Sequence, residues 1–472
     1  MTERQIRLLW LICCLSYLPL LFTVQFTGEE AIYSIIPFEM MESGRYVEPT
    51  IYGEAYRRPP LLNWLVIGLV SIGGWEYTGF YLRLLSSLSS LLSSVLIFLF
   101  LFRHVGVTRS AAVLGAFLYL VCWQVLGGYG WKGYSDAVFG FFVMSSILLA
   151  WLAIERSAVH GWAALASLSC FFAFLTKAVT SYVFLLVFLA VYFFVAGPKN
   201  RRQVVVVGAW VLISTSLVFG WYALTPFGAM MASGASVDIL DRFTSGTIQQ
   251  YLVNAVQFSG ETYLNFFPVS LLLTYLWVKF RSLNTHTTWG NVAGLTAFIN
   301  FLPYALTTHT HSRYLMPLYG FVALYCLALY LKHRAASLDR LSWNLFLVIV
   351  VLKLLFAGGL FHYYTELRRP NLDQLVSEVV EIADGRRIYS TDESWIGISV
   401  SDLINRSRIQ SGFITKTYEE SSSFVLLSRH PITNLGAPVL LHRNEFFVYC
   451  KGSGTTGSSC PSYSVQTGNN AK

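Results

Sequence analysis

The decisive stretch of this 472-residue chain reads Gly28-Glu-Glu-Ala-Ile-Tyr-Ser-Ile-Ile-Pro-Phe-Glu-Met-Met-Glu-Ser-Gly-Arg-Tyr46 and, after a short gap, Tyr52-Gly-Glu-Ala-Tyr-Arg-Arg-Pro-Pro-Leu61. It follows an apolar segment, residues 8–24, that is long enough to cross a bilayer. Acidic and basic side chains accumulate here, although only 12% of the whole chain is charged. The stretch therefore predicts a polar site at the face of a membrane.

The composition is typical of a polytopic membrane protein. Hydrophobic residues make up 55% of the chain and the mean hydropathy is +0.54, well above the values of soluble proteins. The net charge of +8 does not indicate a nucleic-acid partner, because the basic residues concentrate in short links between apolar segments. We therefore expect membrane lipids, and no nucleic acid, among the partners.

Eleven apolar segments are predicted to span the membrane. They lie near 8–24, 83–102, 111–127, 136–154, 161–176, 180–196, 204–224, 263–280, 289–307, 313–331 and 343–361. The first resembles an uncleaved signal anchor with its N-terminus inside. Residues 25–82 then form a first external loop, in which 30–41 is predicted to be a short interfacial helix and 61–72 is too short to cross.

The chain is predicted to have two domains, a transmembrane domain at 1–361 and an external α/β domain at 362–472. Leu372, Leu375, Val379 and Ile382 recur at helical spacing, and 387–390, 424–428 and 446–449 are predicted strands. The Gly/Ser/Thr-rich end is predicted to be disordered. A disulfide between Cys450 and Cys460 is one of two open alternatives, the other being free thiols.

A family resemblance rests on the order of residues in the first loop. Glu29-Glu-x-x-Tyr, Glu39-Met, Ser43-Gly-x-Tyr and Tyr56-Arg-Arg-Pro-Pro-Leu together resemble the first external loop of the aminoarabinose transferases that modify lipid A. Protein O-mannosyltransferases have a related loop, and both belong to the GT-C class of membrane glycosyltransferases. The resemblance implies a helical GT-C fold in the bacterial inner membrane, with the C-terminal domain in the periplasm.

The same resemblance implies the reaction. A sugar would move from a polyprenyl-phosphate donor, of the undecaprenyl-phosphate type, to a lipid, glycan or protein acceptor on the external face, with inversion at the anomeric carbon. Such a donor is already activated, so no cofactor is required. A divalent cation near the carboxylates stays open, and His309 and His311 lack the third ligand that a zinc site needs.

Three carboxylates are candidates for accepting the proton of the acceptor. Glu29 takes the place of the family's catalytic aspartate, with Glu30 beside it, and Asp136 resembles the second acidic residue of the family. Glu29 and Glu30 would alternatively only solvate the end of the first span. Ser135 or Asp136 would alternatively cap a helix N-terminus.

Cations are needed to stabilise the departing phosphate. Arg58 stands before two prolines where the relatives commonly have lysine, and Arg57 and Tyr33 belong to the same loop. Lys177 lies in a Leu-Thr-Lys-Ala sequence that matches the family's Leu-Thr-Lys-Gly except for the alanine, and Arg313 opens an Arg-Tyr-x-x-Pro motif. The resemblance implies that these side chains bind phosphate; for Arg58 the alternative is snorkelling to lipid headgroups.

A transporter or flippase of a lipid-linked or anionic substrate is the competing hypothesis. It predicts ionisable residues within several spans, on both sides of the midplane. Lys353 is the clear residue of this kind, and the sequence does not explain it. Trp75, Trp131 and Tyr134 are predicted to belong to interfacial aromatic belts, and Arg83 to form a structural ion pair.

Overall fold

A computed structural model gives the fold. It describes residues 3–22, 26, 28–156, 159–177, 179–195, 198–225, 246–307, 310–333, 336–361, 363, 372–407, 412–417, 424–428, 430, 432, 440–442 and 446–451. The chain divides into two compact units. The first unit comprises Met1–Phe22, Arg57–Leu62 and Arg83–Phe361, and the second comprises Thr23–Tyr56, Asn63–Leu82 and His362–Lys472.

Most of the described chain is helical. The helices are α1 (Glu3–Leu15), α2 (Leu18–Leu21), α3 (Ile32–Ser43), α4 (Leu61–Gly73), α5 (Thr78–Leu99), α6 (Arg109–Val121), α7 (Ser135–Glu155), α8 (Val159–Thr176), α9 (Thr180–Val195), α10 (Pro198–Leu224), α11 (Ile248–Asn265), α12 (Val269–Phe280), α13 (Thr288–Ala305), α14 (Leu318–Lys332), α15 (Ala336–Leu355), α16 (Leu372–Ala383) and α17 (Trp395–Ser407). Short 3₁₀ turns lie at Gly28–Ala31, Trp75–Tyr77 and Ser312–Leu315, and π turns at Phe100–Val105, Gln124–Gly128 and Phe356–Leu360.

Six helical stretches of the described residues are long and apolar enough to cross a membrane. They are Glu3–Leu21, Trp75–Val105, Ser135–Glu155, Val159–Thr176, Asn200–Leu224 and Ser342–Leu360. The pair α11 and α12, bent by 102°, would make a seventh if it forms one broken span. Shorter apolar helices include α4, α6, α9 and α14, so the count of eleven spans stays a prediction.

Helices α7, α8, α9 and α10 pack together in the first unit. At one end of this group the Glu155 carboxylate accepts hydrogen bonds from Trp151 Nε1 at 2.9 Å and from the hydroxyl of Tyr192. His104 Nε2 lies at ion-pair distance, 2.8 Å, from Glu155 Oε2. These contacts link the π turn after α5, helix α7 and helix α9 at this end of the group.

The second unit contains the two helices of the first loop. The sequence predicted a short helix at 30–41, and α3 confirms it at Ile32–Ser43. It ends at Gly44, whose φ of 70° is the left-handed conformation that glycine adopts without strain. A two-stranded antiparallel hairpin follows, β1 (Thr50–Ile51) and β2 (Glu54–Ala55).

Glu39 joins α3 to this hairpin. Its fully buried carboxylate accepts hydrogen bonds from Thr50 Oγ1 at 2.7 Å, from the amide of Tyr52 at 2.6 Å and from the amide of Gly53 at 3.1 Å. Burial raises the pKa of Glu39 to about 7, and the three hydrogen bonds oppose that rise. The carboxylate thus replaces the hydrogen bonds that the hairpin loop cannot make internally.

The Glu39 pKa leads to a pH-dependent stability. An acid whose folded pKa is raised stabilises the fold most below its unfolded value, so this contribution is lost as the pH rises from about 4.5 to about 7. We expect the Tm to fall over this interval and Glu39→Gln to flatten the fall. Thermal scans of the full chain at several pH values measure it, with Glu42→Gln, exposed on the same helix, as the matched control. An equal slope in all three proteins would contradict the assignment.

The rest of the second unit is built on a four-stranded sheet. Its strands are β3 (Arg387–Ser390), β4 (Phe424–Ser428), β5 (Leu440–His442) and β6 (Phe446–Lys451), in the order β3-β4-β6-β5. The β3/β4 pair is parallel and the other pairs are antiparallel. Three of these strands begin at the residues that the sequence predicted, and α16 covers the predicted helix. Cys450 is disulfide-bonded, whereas Cys460 lies outside the described residues.

The hairpin of the first loop packs within this unit. The hydroxyl of Tyr52 donates to the carbonyl of Asp392 at 3.0 Å and lies 3.2 Å from Ser401 Oγ. Lys416 donates to Glu54 at 2.8 Å, and α17 packs against α3. Residues 23–56 and 63–82 therefore group with the segment 362–472. The sequence predicted that segment as a domain of its own.

Candidate active site

Asp136 and Lys177 form a buried ion pair in the first unit. Asp136 lies in the first turn of α7, and Lys177 follows the last residue of α8. The Lys177 ammonium binds Asp136 Oδ1, and the two side chains are 10% and 1% exposed. The helix N-cap is Tyr134, which makes no side-chain capping bond. The Asp136 side chain thus pairs with a cation, and the N-cap residue of α7 is Tyr134.

Lys177 lies among aromatic rings and further cations. Its ammonium is 4.3 Å from the ring centroid of Tyr314 and 5.7 Å from that of Phe139. Burial lowers the pKa of Lys177 to about 8; Asp136 opposes the shift, and the positive charges of Arg58 and Arg313 add to it. Lys177, Arg58 and Arg313 are therefore near enough to repel one another. An anion bound among them would offset this repulsion.

Arg313 is held by tyrosine rings. It lies in the 3₁₀ turn before α14 and is 7% exposed. Its guanidinium carbon is 5.6 Å from the ring centroid of Tyr129, 5.5 Å from that of Tyr134 and 5.7 Å from that of Tyr314. A planar guanidinium gains from stacked or cation-π contacts of this kind. The rings therefore fix the position of the positive charge.

The other predicted residues divide between the two units. Arg58 is half-buried in the first unit, and the neighbouring Arg57 is exposed. Glu29, Glu30 and Tyr33 belong to the second unit. Glu29 is exposed, Glu30 is fully buried and Tyr33 is 4% exposed. The structure therefore brings Arg58, Asp136, Lys177 and Arg313 together within one unit, and it distinguishes the two adjacent glutamates by their accessibility.

The sequence reasoning missed two features of this region. Tyr314 contacts both Lys177 and Arg313, and its place beside Arg313 in the quoted motif could have indicated it. The second feature is a polar chain in which Gln124 Nε2 donates to Ser312 Oγ at 3.2 Å and Ser312 Oγ donates to Glu261 Oε1 at 2.6 Å. Glu261 is the sole acidic residue of α11, which was a usable indication.

The structure bears on the expectations for Trp131, Tyr134 and Arg83 and on the candidate metal ligands. Trp131 and Tyr134 are 0% and 4% exposed, so their assignment to a lipid-facing belt is wrong. Arg83 is buried, with its guanidinium 5.8 Å from the Trp131 ring centroid. In the part of the chain that the structure describes, no group of three or more His, Cys, Asp or Glu could hold a metal ion. His309 lies outside that part.

Comparisons with known proteins place the fold. No family model matches the chain. An undecaprenyl phosphate-alpha-4-amino-4-deoxy-L-arabinose arabinosyl transferase of Erwinia tasmaniensis is 25% identical over 214 residues, 44% of this chain and 37% of that protein. ArnT from Cupriavidus metallidurans, in a crystal structure bound to undecaprenyl phosphate, matches with a TM-score of 0.68 at 14% identity over 97% of this chain and 100% of that one. The chain has the GT-C fold.

A more distant GT-C structure resembles the chain less completely. Archaeal oligosaccharyltransferase AglB from Archaeoglobus fulgidus, in complex with an inhibitory peptide and a dolichol phosphate, matches with a TM-score of 0.50 at 12% identity. The match covers 87% of this chain and 64% of that one. The sequence match to the Erwinia enzyme spans little more than a third of that enzyme. The shared property of these relatives and this chain is thus the GT-C fold.

Proposed function

We propose that the protein is a glycosyltransferase that moves a sugar from a polyprenyl-phosphate donor, of the undecaprenyl-phosphate type, to a lipid, glycan or protein acceptor. The observation that carries the proposal is the cluster of Lys177, Arg58 and Arg313, which interact electrostatically in a chain with the ArnT fold. The phosphate head of such a donor is the kind of anion that this cluster would stabilise. ArnT and AglB were solved with undecaprenyl phosphate and dolichol phosphate, which supports the same donor class here.

The proposed chemistry is a direct displacement. The acceptor oxygen or nitrogen attacks the anomeric carbon, the bond from that carbon to the phosphate oxygen breaks, and polyprenyl phosphate leaves with the bonding electrons. Glu29 takes the acceptor proton, and Asp136 acts by fixing Lys177. Lys177, Arg58 and Arg313 stabilise the negative charge that grows on the phosphate. Inversion at the anomeric carbon follows from a single displacement.

The proposal includes a location. Multi-pass apolar helices and the ArnT fold support an inner-membrane protein. We propose eleven spans, a cytoplasmic N-terminus, and a periplasmic position for the first loop and the region after residue 362. Among the links between spans after the first loop, those on the inside then hold more basic residues than those on the outside, as the positive-inside bias requires. A cysteine introduced at position 452 that reacts with an impermeant reagent only in opened cells would contradict this topology.

Release of polyprenyl phosphate is the direct test. The full-length protein is given a panel of polyprenyl-phosphate sugars with membrane extract, and we expect one sugar to support release. Arg313→Lys keeps the charge but loses the planar contacts with Tyr129, Tyr134 and Tyr314, so we expect release to fall roughly tenfold. Arg103→Lys, at an exposed site, is the matched control.

The transporter hypothesis makes the opposite prediction. A flippase would bind and move the same lipids without breaking their sugar–phosphate bond. Tight binding with no release by the wild-type protein, for every donor in the panel and with extract present, would therefore reject the transferase. The GT-C fold and the grouping of the cations favour the transferase over this alternative.

A further inference from the structure

Lys353 is a buried lysine within a candidate membrane span, on α15. Lys353 is 1% exposed, and the surrounding stretch Ser342–Leu360 is otherwise strongly apolar. An ammonium in such a place is costly unless it is paired or hydrogen-bonded. Within the described residues no carboxylate forms an ion pair with it, so its partner must be of another kind.

The partner is a backbone carbonyl at the end of a helical turn. The Lys353 ammonium donates to the carbonyl of Leu126, in the π turn Gln124–Gly128 that follows α6. The last carbonyls of a helix have no partner within it and carry a concentrated partial negative charge. A cation is favoured at this position, and the buried lysine is therefore explained by the helix end that it caps.

The two neighbouring carbonyls are capped in the same way. The hydroxyl of Tyr17, just before α2, donates to the carbonyl of Val125 at 2.8 Å, and Trp131 Nε1 donates to that of Gly127 at 3.2 Å. Three consecutive carbonyls thus each accept a bond from a different side chain. The donors also contact each other, because the Lys353 ammonium lies 5.2 Å from the ring centroid of Tyr17 and 5.7 Å from that of Trp131.

The capped turn leads directly into the residues of the candidate site. The 124–136 segment contains Tyr129 and Tyr134, whose rings hold Arg313, and it ends at Asp136, which binds Lys177. Further along, Ser90 Oγ donates to the carbonyl of Gly130 at 2.8 Å and Ser86 Oγ to that of Tyr134 at 3.0 Å. The segment has little regular structure of its own between the π turn and α7, and these side-chain bonds add to its main-chain bonds, such as that from the amide of Gly130 to the carbonyl of Gln124 at 3.2 Å.

We propose that Lys353 is a positioning residue, whose ammonium caps the carbonyl end of the π turn and so fixes the 124–136 segment that carries Tyr129, Tyr134 and Asp136. Its effect on sugar transfer rests on the function proposed above, whereas its effect on the segment does not. Lys353 therefore belongs to the architecture that supports the residues around the cationic cluster.

Hydrogen-deuterium exchange of the full chain tests the structural part. Lys353→Met keeps most of the side-chain volume and removes the charged donor, so we expect amide exchange in peptides from 124–134 to rise roughly tenfold or more. Tyr17→Phe, which removes one hydroxyl, is expected to raise exchange in the same peptides by a smaller factor. Lys279→Met, at an exposed lysine, is the matched control and is expected to leave these peptides unchanged.

The outcomes separate this proposal from the proposed function. Unchanged exchange of 124–134 in a folded Lys353→Met protein would overturn the positioning role, even if wild-type transfer is observed. If Lys353→Met does not fold, unchanged exchange in Tyr17→Phe would overturn it. A wild-type protein without any release activity would reject the transferase, and faster exchange in Lys353→Met would still support the cap. Where release is observed, we expect Lys353→Met to slow it roughly tenfold, with the donor KM changed less than kcat.

Discussion

Lys177→Met is expected to lower polyprenyl-phosphate release by roughly a hundredfold or more. Removing one positioned donor that stabilises developing negative charge costs about 10²–10³ in kcat in a well-studied hydrolase. Lys177 is the cation on which the positive charges of Arg58 and Arg313 act, and Met preserves its length without its charge. Initial rates of release over a range of donor concentrations measure the loss, and we expect kcat to fall together with kcat/KM.

The same substitution also leaves a buried carboxylate without its cation. Asp136 is 1% exposed, and breaking one side of a buried ion pair typically costs about 3 kcal/mol. Lost activity could therefore reflect lost fold. The double variant Asp136→Asn with Lys177→Met removes both charges, so we expect its Tm to recover toward the wild-type value while release stays low. Recovery of release in the double variant would show that Lys177 acts only as the partner of Asp136.

The pH dependence gives an independent check on Lys177. Because burial lowers its pKa to about 8, the ammonium loses its proton as the pH rises through that value. Donor use by the wild-type protein is expected to decline over the same interval. Lys177→Arg keeps its charge at higher pH, so any activity that it retains should not show this decline.

Local sequence was sufficient to select Lys177 and Arg313 as candidates. Lys177 and Arg313 each stand at the edge of an apolar segment where positive charge is otherwise scarce, and each lies in a short motif. The sequence could not show that Lys177 lies against Asp136, because the packing of α7 on α8 brings the two residues together. The belt assignment of Trp131 and Tyr134 failed for a related reason, since composition does not show which face of a segment is buried.

Backbone partners were the largest gap in the sequence reading. The sequence could not explain Lys353 because its partner is a backbone carbonyl. Every residue has such a carbonyl, so no residue type indicates the partner. Glu39 was one charge among many in the first loop, whereas its partners include two amides of a hairpin loop whose Tyr52 has a positive φ of 57°. The π turn at Gln124–Gly128 is equally hidden, because it interrupts the 3.6-residue period only briefly. Features that depend on the main chain therefore required the structure.

Glu29 and Glu30 show how local structure can distinguish two adjacent candidates for the general base. They lie in the 3₁₀ turn Gly28–Ala31, where three residues complete a turn and successive side chains point about 120° apart. Glu29 is accordingly exposed and Glu30 is fully buried. An acceptor can reach only an accessible carboxylate, so Glu29 is the better candidate for the base, and Glu30 is expected to serve the fold of the second unit.

Glu29→Gln is therefore expected to slow transfer roughly a thousandfold, within the range that removal of a general base produces. The amide keeps the shape and exposure of the side chain but cannot take the acceptor proton, so kcat should fall while donor binding is retained. Single-turnover release with bound donor and excess acceptor measures this step. Glu42→Gln, an exposed acid of the same loop, is the matched control, and Glu30→Gln should act first on the Tm. Normal transfer by Glu29→Gln would remove Glu29 from the mechanism and assign the proton to another group.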